Sequence, residues 1–227
     1  MPSDETLVTR SETLVACRDA ALTFGRGAQA VVAVHGADLE IRAGDRLAVV
    51  GPSGSGKSSL LYLLAGLEQP TSGGVTWPAS LGAYDIGLVF QGDSLIPALN
   101  VLENAALPLV LAGRTETEAQ ESARTALDRV GVADLAERLP EEISGGQAQR
   151  AAAARVLAQA PRLILADEPT GRLDHTTGAR VLDALLTAAD RTGAALVVTT
   201  HDPAIAARLT VQRSMRAGRL LAPEETS

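Results

Sequence analysis

The chain has 227 residues, of which 46% are hydrophobic and only 2% aromatic, and its net charge is −7. This length suits one sizeable core, and the composition is that of a globular α/β protein packed with aliphatic side chains. The acidic balance argues against a protein that coats nucleic acid, and the single cysteine, Cys17, excludes an intrachain disulfide and a cysteine-based metal cluster.

The N-terminal segment, residues 1 to 13, is polar and acidic and is predicted to be loosely structured. It lacks the pattern of a signal peptide. No apolar run elsewhere approaches the roughly 20 residues of a membrane span. We therefore expect a cytoplasmic protein that reaches a membrane only through a partner, and no nucleic-acid partner.

The next part of the chain contains mostly predicted strands. Short apolar stretches alternate with glycines and charged residues, as in strands joined by turns. The predicted elements are strands and turns from Leu14 to Ile41, a buried strand from Leu47 to Val50, a helix from Ser58 to Leu67, a turn and short edge strand from Gly73 to Pro78, and an apolar strand from Ile86 to Phe90.

The character of the chain changes after Gln91, because residues 92 to about 158 contain almost no β-branched runs. Thr115 and Glu118 form a capping box that predicts a helix to about Val130. Two further helices are predicted, a short one from Ala133 to Leu139 before Pro140 and an alanine-rich one from Gly146 to Ala160 before Pro161. We interpret residues 92–158 as a helical subdomain inserted into an α/β core.

That core resumes in the last third of the chain. Residues 14–91 and 159–221 are predicted to form it together, within a single domain. Strands that alternate with helices imply a mainly parallel sheet covered on both faces. The predicted elements are a strand from Leu163 to Ala166, a helix from Thr177 to Ala189, a buried strand from Ala194 to Thr199, a helical segment from Pro203 to Leu209, and one or two strands from Val211 to Leu221.

Lys57, the only lysine of the chain, lies in the clearest motif. The pattern G-x-x-x-x-G-K-S/T follows a buried strand and opens a helix, the context that a phosphate-binding P-loop requires. Backbone N–H groups at the start of that helix bind phosphate, the lysine contacts the β- and γ-phosphates, and the serine hydroxyl can ligate Mg²⁺. The matching residues are Gly51, Pro52, Ser53, Gly54, Ser55, Gly56, Lys57 and Ser58.

Two carboxylates, Asp167 and Glu168, follow the strand that ends at Ala166. In doubly wound sheets, ligands bind at the carboxyl ends of the strands. Asp167 is therefore a candidate Mg²⁺ ligand, and Glu168 a candidate for orienting or deprotonating an attacking water. Without the P-loop, the same pair would equally suit acidic residues at a solvated turn.

Three further polar positions are candidates with open alternatives. The segment Ser144–Gly145–Gly146–Gln147 opens a second helix, which suits either a second phosphate-binding surface or a simple N-cap with a glycine pair. Gln91 follows a strand, where its amide can reach Mg²⁺ or water, or serve as a turn residue. His201 follows another strand, where it can bind a phosphate or be structural. No role is assigned to His35 or His175.

In this order the motifs resemble those of an ABC-transporter nucleotide-binding subunit. Such a subunit is an α/β P-loop NTPase with a RecA-like, mainly parallel core, N-terminal antiparallel strands and a helical insert. The resemblance covers Leu14 to Leu221, and the segments Leu95–Asn104 and Ala166–Gly171 are most similar to the macrolide-export, lipoprotein-release and cell-division branch. The corresponding motifs are Walker A (Gly51 to Ser58), the Q-loop (Gln91), the signature (Ser144 to Gln147), Walker B (Leu163 to Glu168), the D-loop (Gly171 to Asp174) and the switch histidine (His201).

The resemblance implies an ATPase that uses ATP and Mg²⁺ and closes as a dimer, by expectation a homodimer, around two ATP molecules. Glu168, His201 and Gln91 would be catalytic, and Ser58, Gln91 and Asp167 would hold Mg²⁺. The nucleotide would be bound by Gly51 to Ser58 with Ser59, by Phe24 stacking on adenine, and by Ser144, Gly145, Gly146 and Gln147 of the second subunit, with Asp174 linking the two sites. The helical insert would dock on an integral-membrane permease of the macrolide-export or cell-division type, which holds the subunit on the inner face of the membrane.

Two residues depart from the family pattern: Ile143 replaces the usual Leu before the signature, and Arg172 replaces the usual Asn in the D-loop. The preferred function is ATP hydrolysis that powers export or release of a lipoprotein, peptide or macrolide. The main alternative is ATP-driven mechanotransmission in a membrane complex without transport, as in cell division. A DNA or ribosome ATPase would need an insertion or second domain for which 227 residues leave no room, and a purely structural module would show no turnover.

Overall fold

A computed structural model describes residues 11–92 and 94–221, so most of the predicted loose N-terminal segment, residues 1–10, lies outside the described residues. The described helices are α1 (Lys57–Leu64), α2 (Val101–Leu111), α3 (Glu116–Arg129), α4 (Gly145–Gln159), α5 (His175–Thr192) and α6 (Pro203–Ala206). The described strands are β1 (Thr13–Phe24), β2 (Val31–Arg42), β3 (Arg46–Val50), β4 (Ser72–Thr76), β5 (Ile86–Val89), β6 (Leu163–Asp167), β7 (Ala195–Thr200), β8 (Val211–Arg216) and β9 (Arg219–Leu220).

The strands form two sheets. A three-stranded antiparallel sheet has the order β2-β1-β4, and a six-stranded sheet has the order β5-β6-β7-β3-β8-β9. In the larger sheet all pairs are parallel except β8 with β9. The predicted α/β P-loop fold, with a mainly parallel core and N-terminal antiparallel strands, is confirmed.

The larger sheet is covered on both faces, as the apolar strands predict. Along β6, Leu163 and Leu165 pack into the cluster that includes α1 and the small sheet, whereas Ile164 and Ala166 pack into the cluster that includes α2 to α5. Alternate residues point to opposite faces of a strand, so a strand between two cores must be apolar throughout. Cys17 lies in the first cluster, where burial raises the pKa of its thiol to about 12.

The first helix of the segment interpreted as a helical subdomain, residues 92–158, was not predicted from the sequence. Helix α2 has a capping box formed by Asn100 and Glu103, with bonds of 2.8 Å in both directions. Helix α3 has the capping box predicted from Thr115 and Glu118. Both helices pack on α4, so they bury one side against the alanine-rich helix.

The prediction of a short helix from Ala133 to Leu139 is wrong. Only a 3-10 turn forms at Ala133–Leu135, and another follows at Pro140–Glu142. The carbonyl groups of Ala136 and Arg138 accept hydrogen bonds from the first N–H groups of α2, at 2.9 Å each. These carbonyls therefore satisfy the free N–H groups at the start of α2 instead of continuing a helix of their own.

The sheet order brings distant parts of the chain to one edge. Strands β6, β7 and β3 are parallel neighbours, so their carboxyl ends lie side by side. The P-loop follows β3, the carboxylate pair ends β6, and His201 follows β7. None of the helices in the described ranges has the length and apolar character needed to cross a bilayer.

Candidate functional site

The P-loop curls around the side chain of Lys57. Gly56 adopts a left-handed conformation, with φ of +100°, and Lys57 is the first residue of α1. The Lys57 Nζ donates to the carbonyl oxygens of Gly51 at 2.9 Å and Pro52 at 3.1 Å. The side chain is only 6% exposed, so the loop holds a positive charge at the start of a helix, where the helix dipole also favours anions.

Two glycines of the loop are required by close packing. A Cβ atom on Gly51 would overlap the carbonyl oxygen of Met215, and one on Gly56 would overlap the carbonyl oxygen of Ala33. Gly54 also has a positive φ, +75°, but a Cβ there would meet nothing within 4 Å. The loop therefore packs tightly against β2 at Gly56 and against β8 at Gly51, whereas the space beside Gly54 is open.

Replacing Gly56 by alanine should destabilise the protein more than replacing Gly54. Both changes carry a left-handed backbone cost of roughly 1–2 kcal/mol, which lowers Tm by about 2–8 °C in a chain of this size. Only Gly56→Ala adds the overlap with Ala33. Thermal unfolding of the two variants measures the difference, and equal Tm values would contradict the packing at Gly56.

Asp167 is fully buried at the end of β6, with 1% of its surface exposed. Its Oδ1 accepts a hydrogen bond of 2.6 Å from the hydroxyl of Thr199 on the neighbouring strand. Its Oδ2 is buried and has no hydrogen-bond partner among the described residues. A buried carboxylate oxygen without a donor is costly, so this atom suits a cation or a water held by one.

Glu168, which follows β6, contacts a residue that follows β3 and another that follows β7. Its Oε1 lies 3.4 Å from the Nζ of Lys57, and its Oε2 lies 2.8 Å from the Nδ1 of His201. The Glu168 side chain is 7% exposed and that of His201 is 65% exposed. The carboxylate is therefore held between a buried cation and a histidine that faces solvent.

Thr199 is a site residue that sequence reasoning missed. Besides its bond to Asp167, the Thr199 Oγ1 accepts from the backbone N–H of Glu168 at 3.1 Å. It is fully buried in β7. The sequence offers only a partial signal, the two buried hydroxyls of Thr199 and Thr200 at the end of an apolar strand, and it does not single out Thr199.

A cleft of about 560 Å³ opens beside the P-loop. Phe24, at the end of β1, lines it and is 43% exposed. Gln91 and Glu168 also line it, as does His35, for which no role was predicted. The predicted residues that share this cleft are Phe24, Ser53, Gly54, Gly56, Lys57, Ser58, Ser59, Gln91 and Glu168.

The segment Ser144–Gln147 lies elsewhere. Ser144 caps α4: its Oγ accepts from the backbone N–H of Gln147 at 3.3 Å, and its own N–H donates to the Gln147 Oε1 at 2.7 Å. Ser144 and Gly145 are exposed, and none of the described residues that line the cleft belongs to this segment. The N-cap interpretation is therefore correct, and the segment also presents a free surface away from its own P-loop.

Asp174 is the residue that caps the start of α5, and it lies near Glu168. Its carboxylate accepts from the backbone N–H groups of Thr176 at 3.1 Å and Thr177 at 3.0 Å. The hydroxyl and N–H of Thr177 hold the pKa of Asp174 below its usual value. Asp174 lines a small cavity of about 160 Å³ together with Glu168 and His201, so it caps a helix beside the carboxylate.

The residues present suit Mg²⁺. No group of three or more His, Cys, Asp and Glu side chains is arranged to hold a metal within the described ranges. Mg²⁺ is usually held by one or two protein ligands together with phosphates and water, so a protein cage is not expected. The unpaired Oδ2 of Asp167 and the Ser58 hydroxyl at the cleft fit that pattern.

Comparison with known proteins is consistent with this geometry. Residues 34–171 match the family model described as ABC transporter. The chain is 42% identical over 199 residues to the lipoprotein-releasing system ATP-binding protein LolD of Shewanella oneidensis, covering 82% of this chain and 86% of that protein. It is 39% identical over 230 residues to LolD of Chromohalobacter salexigens, covering 96% and 97%.

A solved structure is similar over most of the chain. It is the dimeric, post-hydrolysis state of the ATP-binding cassette MJ0796 bound to ADP and Pi. The TM-score is 0.86 and the identity 33%, with 94% of this chain and 99% of that chain covered. A P-loop at the edge of a parallel sheet, the family match and these relatives agree, and the chain belongs to the ABC transporter family as a nucleotide-binding ATPase.

Proposed function

We propose that the chain binds ATP with Mg²⁺ in the cleft beside the P-loop and hydrolyses it as the motor subunit of a membrane transporter. The observation that carries this proposal is the buried ion pair of Lys57 and Glu168 at one sheet edge, next to Asp167, whose buried Oδ2 has no hydrogen-bond partner among the described residues. The backbone of Gly51–Ser58, with Ser59, binds the phosphates. The aromatic ring of Phe24, which lines the same cleft, stacks on adenine.

Within this site, Lys57 exchanges partners when nucleotide binds. In the structure its Nζ lies near the Glu168 carboxylate and two loop carbonyls. The β- and γ-phosphates offer a higher negative charge at the start of α1, so Lys57 moves to them. Asp167, Ser58 and Gln91 would hold Mg²⁺, which would neutralise charge on the phosphates.

Hydrolysis is then catalysed by positioning and charge. Once Lys57 has moved, the Glu168 carboxylate is free to orient a water molecule at the γ-phosphate or to accept its proton. His201, which already contacts the Glu168 Oε2, donates to the γ-phosphate, and Gln91, which lines the cleft, senses it.

The active form is proposed to be a dimer of two copies, each supplying half of two ATP sites. Ser144 and Gly145 are exposed at a helix start, Gly146 and Gln147 are partly buried beside them, and none of the four belongs to the described lining of the cleft. A helix N-terminus suits a phosphate from a second molecule. Asp174 links the two sites, because it lies beside Glu168 at the start of α5.

Replacing Ser144 by arginine should leave ATP affinity of the monomer within about twofold and abolish ATP-driven dimers. The long charged side chain would occupy the exposed surface that the partner's nucleotide needs, and loss of the N-cap costs only about 1 kcal/mol. Thr115→Arg is a matched control, because it removes the equivalent capping box of α3. Nucleotide titration and size-exclusion chromatography with ATP measure both effects, and dimers formed by Ser144→Arg would contradict the proposal.

The partner is proposed to be an integral-membrane permease of the macrolide-export or cell-division type, with the ATPase on the inner face of the membrane. Residues 92–158, treated as a helical subdomain, would carry the docking groove. In support, this block exposes apolar side chains of the kind that interfaces bury, namely Ile96, Val110, Leu111 and Leu139. The names of the relatives favour lipoprotein release as the process that is powered.

Two measurements test this function. The purified chain should hydrolyse ATP with Mg²⁺ and stop when the metal is chelated. Expressed with a permease of the proposed type, the chain should co-purify with that protein and hydrolyse ATP faster. A chain that binds no nucleotide, or that never associates with a membrane protein, would contradict the respective half of the proposal.

A further inference from the structure

The backbone of Glu168 is held in an unfavourable conformation. Its φ is +45°, which is uncommon for a residue with a side chain and costs of order 1–3 kcal/mol. Such a residue persists only when its surroundings fix it. The bonds that fix the Glu168 backbone therefore also determine where its carboxylate points.

These bonds come from three directions. The Glu168 N–H donates to the Oγ1 of Thr199 at 3.1 Å and lies 3.2 Å from the Thr199 carbonyl oxygen. The Glu168 carbonyl accepts from the backbone N–H of Gly171 at 3.1 Å. It also accepts from the side-chain Nε2 of Gln149 at 3.0 Å. Of the bonds named here, this one comes from the side chain of a helix residue.

Gln149 is placed to do little else. It is 5% exposed, and its Oε1 has no hydrogen-bond partner among the described residues. An apolar side chain would fill this position in α4 at lower cost, because burying a half-satisfied amide is unfavourable. The bond to the Glu168 carbonyl is the interaction that makes a glutamine useful here.

The same helix begins at the proposed partner-binding surface. Gln149 is five residues after Ser144, a rise of about 7.5 Å along a helix at 1.5 Å per residue. The bond therefore connects the helix that carries Ser144, Gly145 and Gly146 to the backbone of the carboxylate in the same subunit.

We propose that Gln149 is a positioning residue for hydrolysis: its side-chain amide lets α4 hold the backbone of Glu168 so that the carboxylate faces the nucleotide. This inference rests on the proposed catalytic role of Glu168. Removing the amide leaves the carbonyl with the N–H of Gly171 alone, and the turn can relax. A displacement of the carboxylate by about 1 Å is enough to reduce turnover substantially.

The test replaces Gln149 by methionine, which keeps the length and volume of the side chain and removes the donor. We expect kcat to fall about tenfold while KM for ATP changes less than about twofold, because the phosphates are bound by other residues. The control is Gln120→Met, the same change on α3, where the amide donates to the side chain of Glu116; it should keep the wild-type kcat.

Two further readouts separate positioning from a general structural role. In a Glu168→Gln background, Gln149→Met should still form ATP-driven dimers at the same ATP concentration, and its Tm should stay near that of the parent. An unchanged kcat would overturn the inference, as would parallel losses of kcat, dimers and Tm. If wild type and Gln120→Met hydrolyse ATP, the proposed function stands whatever Gln149→Met does; if wild type does not, the proposed function itself fails.

Discussion

Replacing Glu168 by glutamine should lower ATP turnover by about two to four orders of magnitude while ATP binding persists, since removal of a general base costs a factor of roughly 10²–10⁴. Glutamine has the shape of glutamate, so the buried position, 6% exposed, can accept it without repacking. It lacks the negative charge that orients water and accepts its proton. The loss should therefore fall on kcat.

The same change should make ATP bind at least as tightly and dimers accumulate. The wild-type carboxylate competes with phosphate for Lys57, at 3.4 Å in the structure, and repels the γ-phosphate. A neutral amide does neither, and without hydrolysis the closed dimer has no route to open. Steady-state hydrolysis and light scattering with ATP measure the two effects.

A matched control is Glu121→Gln, which removes one carboxylate from the exposed surface of α3. It alters the net charge equally and should retain wild-type turnover. If Glu168→Gln hydrolyses ATP at a rate near that of wild type, Glu168 is not the catalytic carboxylate, and the role proposed for Gln149 is lost with it.

Much of the site was predictable because its parts are local in sequence. A P-loop is one turn between a strand and a helix, so Gly56, Lys57 and Ser58 are recognisable without any tertiary contact. The carboxylates of Asp167 and Glu168 were also predicted, because they directly follow an apolar strand. Parallel strands bring their carboxyl ends to one edge, which is why His201 lies 2.8 Å from Glu168 although the two are distant in the chain.

The supporting residues were not predictable for the opposite reason. Thr199 and Gln149 act on Asp167 and Glu168 across 32 and 19 residues of sequence, and no local pattern sets them apart from neighbouring strand and helix positions. The positive φ of Glu168 is equally invisible in sequence, because glutamate does not favour it. Tertiary contacts decide all three features.

Residues 92–158 show the same contrast between local features, which the sequence predicts, and features that depend on tertiary contacts. The Thr115 capping box is local and predicted α3, whereas α2 contains Pro108, which argues against a helix in sequence. The structure accommodates Pro108 in α2, and the start of α2 takes its hydrogen-bond acceptors from the carbonyls of Ala136 and Arg138. The roles of Ser144, Asp174 and Phe24 stay predictions, because they concern a partner subunit and a nucleotide.

Replacing Lys57 by alanine should weaken ATP binding by about a factor of 10 to 100, which is what loss of a charged hydrogen bond worth about 1.5–3 kcal/mol implies. The change removes the buried cation at the start of α1 and its bonds to the carbonyls of Gly51 and Pro52. Hydrolysis should fall further than binding, because the variant also lacks the positive charge that Lys57 places on the β- and γ-phosphates during phosphoryl transfer. Isothermal titration with ATP measures the affinity, and an unchanged Kd would overturn the P-loop assignment.

Lys57→Arg separates charge from geometry. It keeps the charge, but a planar guanidinium is larger than the ammonium that the loop encloses at 6% exposure. We expect it to bind ATP nearly as poorly as Lys57→Ala, because the site needs a compact cation. Near-normal affinity for Lys57→Arg would instead mean that charge alone suffices.

The chain offers an independent measurement, because Lys57 is its only lysine. An amine-reactive reagent can label only this side chain and the N-terminal amine, and mass spectrometry distinguishes the two. ATP should protect Lys57 and leave the N-terminus reactive, since Lys57 is the one of these two amines that is proposed to contact the phosphates. Equal labelling of Lys57 with and without saturating ATP would show that the phosphates bind elsewhere, even if the substitutions at this position also disturbed the loop.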